Sequence, residues 1–309
     1  MNATGLMMGQ VALAALVHVT FAFAVGSTFF ERWLAVDGAL VRSAPSHAAW
    51  HRARSSLLAA AFALVLAEAG WLFYEAASMT GAGVAGGLAA LPDVVGTTHV
   101  GHAWCAAFGG AAWLLVAALL YRGGRVGLAM VWLGALASAA GTASIGHAAD
   151  AGVPSLGWAM QVLHIVATAV WSGVVLAGGL VVLPALDTSI TRTALIRLAD
   201  RISNVSLVAF SVVLISGLIG AQRGLGGSFT ALRSSAWGHV LTLKLALVLL
   251  AVVLGGLNRT SALPRLRRSA STLDAHTFRN VLHLEALVMI AVFVVAAVLG
   301  LTPPGHAGP

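Results

Sequence analysis

Residues 144–173 read SIGHAADAGVPSLGWAMQVLHIVATAVWSG and join one long apolar run to the next through a short loop that holds neither Lys nor Arg. A run of about 20 predominantly apolar residues is long enough to cross a bilayer as an α-helix. Two such runs joined by so short a loop predict two antiparallel membrane-crossing helices. The stretch carries a histidine on each side of the loop, His147 and His164, and both imidazoles are expected near the same membrane face.

The same pattern recurs outward in both directions. Apolar segments at roughly 9–31, 56–78, 99–121, 126–147, 157–184, 203–222, 238–258 and 281–302 predict eight spans. With 59% hydrophobic and 9% charged residues over 309 positions, and a mean hydropathy of +0.94, the composition excludes an ordinary soluble domain. The runs are continuous rather than alternating, which argues against a membrane β-barrel. The expected fold is all-α, a polytopic bundle of eight transmembrane helices. No Lys or Arg precedes the first run, which is also too long for the apolar region of a cleaved signal, so it is read as span 1.

The arginines set the expected orientation. The connections after spans 1, 3, 5 and 7 hold Arg32, Arg42, Arg52 and Arg54, then Arg122 and Arg125, then Arg192, Arg197 and Arg201, then Arg259, Arg265, Arg267, Arg268 and Arg279. That is 14 of the 17 cationic side chains, against Arg223 and Arg233 in the connections on the other side. The positive-inside rule then makes those four connections cytoplasmic and puts both termini outside. The pI of about 11.2 accordingly reports topology and attraction to anionic lipid, not nucleic-acid binding.

Candidate ligands gather toward the outer ends of the spans. In span 2, Glu68, Glu75 and Met79 fall on one helical stripe, and a carboxylate as deep as Glu68 is costly unless paired or facing a cavity. The start of span 3 places His99, His102 and Cys105 three residues apart. Cys105 is the single cysteine, which excludes an internal disulfide. Span 4 ends in Gly146-His147, and span 5 sets Met160 and His164 one turn apart with Thr168 a turn deeper. Imidazole with thioether suits copper better than zinc or magnesium, because sulfur is a soft donor. The only lysine, Lys244, lies inside span 7 and is expected to pair with Glu68 or Glu75 across the bundle.

A second copy of the pattern is expected in the second half. Gly101-His102 precedes Arg122 as Gly238-His239 precedes Arg259, and Gly-His-Ala recurs at 146–148 and 305–307. His18 corresponds to His164, and Ala61-Phe62 to Ala209-Phe210. Four spans separate the copies, so the repeat is a parallel 4+4 arrangement with halves at residues 1–152 and 153–309.

Residues 235–266, SAWGHVLTLKLALVLLAVVLGGLNRTSALPRL, followed by LGLTPP at 299–304, resemble the C-terminal domain of the copper resistance D family of inner-membrane proteins. LHIVATAVWSG at 163–173 and TTHVGHAW at 97–104 fit the same pattern. The resemblance implies copper handling at a bacterial inner membrane, with copper as Cu(I) or Cu(II) and a periplasmic copper-binding protein as partner. With it, His99, His102, His147, His164, His239, Glu68, Met160 and Cys105 form the expected metal set at the periplasmic face. His283 and Glu285 are the candidates for a cytoplasmic exit. Two other readings stay open: a b-type haem electron carrier ligated through histidines such as His18 and His164, and an accessory protein without a cofactor. An enzyme is not expected, since the chain holds no nucleotide-binding loop, HExxH motif or nucleophile elbow.

Overall fold

The computed structural model describes residues 3–81, 83–121, 124–146, 152–186, 192–226, 230–269 and 271–303. Eleven α-helices occur among them: α1 (Ala3–Val36), α2 (His47–Thr80), α3 (Gly83–Thr97), α4 (His99–Leu120), α5 (Arg125–Ile145), α6 (Leu156–Ala177), α7 (Arg192–Gly224), α8 (Ala231–Ser234), α9 (Ala236–Leu257), α10 (Leu263–Ser269) and α11 (Thr272–Leu301). Eight helical segments are long and apolar enough to cross a membrane, and they match the eight expected spans one for one. The described residues contain no strand.

Several helices outrun the apolar segments, and the long extensions share one end. α2 begins nine residues before its apolar run, α7 begins at Arg192 and α11 at Thr272, while the helical path of α9 continues through α10 to Ser269. Arginine carries a long apolar stem, so such turns keep the helix while the guanidinium reaches water. A count of apolar residues stops short of them. A second departure is residues 80–98, expected as an outer loop, which contain α3 packed on α2 and α4. Pro92 and four glycines hide this helix in the sequence, although its Ala, Leu and Val residues favour it.

Polar contacts tie the arginine-bearing end together. Arg201 donates from both guanidinium nitrogens to the Asp37 carboxylate at 3.0 Å, linking α7 to the turn after α1. Arg267 pairs with Asp200, and Arg259 donates to Ser203 Oγ at 2.6 Å and to Asn204 Oδ1 at 3.2 Å. Trp50 donates to Glu31 Oε1 at 3.2 Å, and Arg54 lies over the Tyr121 ring. Burial and the facing Glu31 carboxylate push the Tyr121 phenol up to about 12, so it stays protonated. At the opposite end, Trp158 donates to Ser144 Oγ at 2.9 Å and fastens the start of α6 to the end of α5, as the opening stretch predicts.

α6 and α9 both end in a widened π turn, Gly178–Val182 and Asn258–Ala262, each followed by Leu-Pro. Leu183 and Leu263 donate back five residues to Gly178 and Asn258. Proline offers no N–H and its ring crowds the preceding turn, so the wider turn accommodates Pro184 and Pro264 without ending the helical path.

α1 and α6 are the most enclosed of the spans. They meet backbone to backbone: a Cβ on Gly26 would collide with the Gly173 carbonyl, and one on Gly173 with the Ala22 carbonyl. Close approach through small residues is how helices associate where lipid removes the usual hydrophobic drive. We expect Gly26→Val to destabilise the protein by about 1–3 kcal/mol through overpacking. A thermal melt in detergent indistinguishable from wild type would refute that contact as the centre of the bundle.

Candidate metal centre

α4 and α9 begin in the same way. Thr98 Oγ accepts from Gly101 N at 3.0 Å, and Ser235 Oγ accepts from Gly238 N at 3.0 Å. Each hydroxyl also donates to a carbonyl of the preceding helix, Val94 at 2.7 Å and Ala231 at 2.6 Å. A Cβ on Gly101 or Gly238 would strike those same carbonyls. The following histidine then reaches back six residues: His102 Nε2 lies 3.3 Å from the Gly96 carbonyl, and His239 Nε2 lies 2.9 Å from that of Arg233. A carbonyl only accepts, so Nε2 carries the proton in both rings and Nδ1 keeps its lone pair. His239 also lines a surface cleft of about 450 Å³ with Leu232, Arg233 and Thr242.

The expected ligand set is spread over several helices. His99, His102 and Cys105 are exposed on α4 and His239 is exposed on α9. Glu68 is buried on α2, where Trp104 donates to its main-chain carbonyl at 2.8 Å and Oε1 has no partner. Met160 and His164 are half-buried on α6. His147 and His306 lie outside the described residues. Among the described residues, no three His, Cys, Asp or Glu side chains converge as a metal cage. The outer-face cluster therefore is not assembled from them, because helix packing turns His102 and His239 toward their own helix starts.

A different grouping lies inside the bundle. His164 Nδ1 is 3.1 Å from Ser216 Oγ on α7. Ser216 spends its proton on the Val212 carbonyl at 2.7 Å, so its oxygen is available to accept from His164 Nδ1. His18 on α1 stacks on Phe293 of α11 with ring centroids 6.0 Å apart. Lys244 lies within electrostatic reach of both imidazoles. The expected pairing of Lys244 with Glu68 or Glu75 is thus not formed; Gln10 donates to Glu75 at 2.8 Å instead. His18 stands eight residues before Gly26 and His164 nine before Gly173, and the two helices run parallel. At about 1.5 Å per residue both rings therefore lie at nearly one depth, some 12–13 Å from the glycine contact.

A further polar layer sits toward the arginine end and includes Glu285, expected as a candidate for a cytoplasmic exit. Glu285 of α11 is 2% exposed, faces Gly255 of α9 and lies within hydrogen-bonding reach of the Trp171 indole. Asn258, one turn beyond Gly255, is buried with neither amide atom partnered.

Two family models match the chain. The one described as Copper resistance protein D-like, N-terminal domain, matches residues 3–158, and the one described as Copper resistance protein D matches residues 196–299. No curated protein and no solved structure matches it.

The two helix starts carry a stability expectation. Thr98→Ala and Ser235→Ala each remove a capping oxygen and should cost about 1 kcal/mol, read as a lowered melting temperature in detergent. Unchanged melts for both would mean that the caps contribute nothing.

Proposed function

Since the chain belongs to the copper resistance D family, whose two models between them match most of its length, we propose that this multi-pass membrane protein binds and moves copper across the bacterial inner membrane. The role is in homeostasis or resistance and is not catalytic. The observation that carries the reading beyond the family is His164, a half-buried imidazole within the bundle whose Nδ1 is held by Ser216 at 3.1 Å and which lies near His18.

In this reading the ends of α4 and α9 that carry His99, His102 and His239 face the periplasm, where copper arrives from a copper-binding protein. The exposed rings give a first, weak capture through Nδ1, and Met160, one turn before His164 on α6, extends the donor set inward. His18 and His164 form the next layer, enclosed and at equal depth. Soft and borderline donors such as thioether and imidazole select copper over the hard divalent ions of the cell. Lys244 restrains the residence of any cation there by repulsion, which suits passage better than storage. The matched starts of α4 and α9 support a parallel 4+4 repeat, and the clustering of arginines at one end supports outward termini.

Metal analysis of detergent-purified protein should find copper, with no Soret band in the absorption spectrum. His164→Ala should reduce copper content more than His99→Ala does. A Soret band without copper would favour the haem alternative and end the copper reading.

Orientation has its own test. With Cys105→Ser as background, a cysteine introduced by Val153→Cys should react with a membrane-impermeant maleimide in intact spheroplasts. One introduced by Ser43→Cys should react only after permeabilisation. The reverse pattern would invert the topology.

A further inference from the structure

α7 and α9 are the least enclosed of the spans. In the first half α2 packs on α4, and the Trp104 indole bolts the two together by donating to the Glu68 main-chain carbonyl at 2.8 Å. Among the described residues no such packing joins α7 to α9. Leu241 stands three residues after Gly238 as Trp104 stands three after Gly101, and a leucine has no N–H to reach across with. Two ties hold the pair instead. Trp237 lies against Gly224, where an added Cβ would meet its ring at 2.4 Å, and at the arginine end Arg259 donates to Ser203 and Asn204. The ties are about 20 residues apart on each helix, roughly 30 Å, so a slot open to the hydrocarbon runs between them.

One level of this slot is fixed from three helices. Lys244 is seven residues inward of Trp237 on α9, and Gly217 is seven inward of Gly224 on α7. His164 is seven inward of Gly157 on α6, against which the Arg223 guanidinium rests. Seven residues are two turns, so each stays on the face of its starting point and about 10 Å deeper. The contacts agree: a Cβ on Gly217 would stand 3.1 Å from His164 Cε1, and Lys244 is within electrostatic reach of His164. Deeper still, Phe210 on α7 and Val248 and Val252 on α9 keep the same faces and line the slot with partly buried apolar side chains.

Charge and donors decide what enters. Three cations lie away from the arginine end, Arg223, Arg233 and Lys244, and all of them belong to α7, α8 and α9. Arginine keeps its charge in any protein environment, and among the described residues no carboxylate pairs with Arg223. Lys244 adds N–H donors that meet no acceptor among the described residues. Its long stem carries the amine outward, toward the level of Arg223. A molecule of the bilayer with a phosphodiester outermost, ester carbonyls next and apolar chains innermost follows the same order, from Arg223 through Lys244 to Val252.

We propose that one anionic phospholipid of the leaflet opposite the arginine end binds in the slot between α7 and α9. Its phosphate meets Arg223, its ester carbonyls accept from Lys244, and one acyl chain lies along Phe210, Val248 and Val252. The bound chain closes the side of the histidine layer, whatever those histidines hold.

The test uses copper-free, full-length protein stripped of lipid in mild detergent and then given phosphatidylglycerol or phosphatidylcholine, with bound lipid counted by native mass spectrometry. Wild type should retain phosphatidylglycerol in preference to phosphatidylcholine. Arg223→Gln, a change at an exposed position, should weaken that retention about tenfold, the loss of one charge-assisted contact. Val248→Trp, which fills the slot and alters no charge, should displace the same lipid, while Arg52→Gln at the arginine end should not. Equal retention of the two lipids by wild type would overturn the site. Retention of phosphatidylglycerol unchanged by both Arg223→Gln and Val248→Trp would overturn it as well. Copper plays no part in these readouts, so failure of the copper reading would leave the lipid result standing.

Discussion

The bundle depends on the meeting of α1 and α6 through Gly26 and Gly173. In lipid, apolar side chains gain little by leaving one hydrocarbon environment for another, so close backbone contact is what holds a pair of spans. Only glycine permits it here, since a single added carbon on either helix would strike the other backbone. α2 then packs on α1, α7 on α6, and α11 closes against both. Every polar side chain whose depth matters, from His18 and His164 to Trp171, is measured from that contact.

The eight spans were legible because each is an uninterrupted apolar run, and the arginines marked which ends belong together. Helix limits at the arginine end were not, because Arg52, Arg197 and Arg267 read as loop although their stems pack as helix. The Gly-His pairs at the starts of α4 and α9 were legible, whereas the Thr98 and Ser235 caps before them were met only in three dimensions. How His102 and His239 sit was not legible, because spacing gives the face of a helix, not whether a ring turns outward or folds back on the turn before it. Lys244 was paired with acids of the first half because sequence gives charge and depth but not which helices are neighbours. Asn258 stood in the quoted motif, but nothing in the sequence says that this amide, one turn after Gly255, is buried without a partner.

The starts of α4 and α9 share one plan, while the buried acids are held in different ways. Glu31 accepts from the Trp50 indole at its carboxylate, whereas Trp104 donates to the main-chain carbonyl of Glu68 and leaves Oε1 of that side chain without a partner.

The glycine contact also has a consequence for biosynthesis. α1 and α6 are neighbours in space, yet Gly26 and Gly173 are far apart in the chain, and at 5–20 residues per second the second is made roughly 7–30 s after the first. During that interval α1 leans mainly on α2, through Ser27 to Ser56 and Glu31 to Trp50, and then on α5 through Phe29 and Trp132. Its glycine face and His18 meanwhile stand open to lipid or to a membrane chaperone. The nascent first half is thus a receptor waiting for the second, and its vulnerable moment falls before α6 leaves the ribosome.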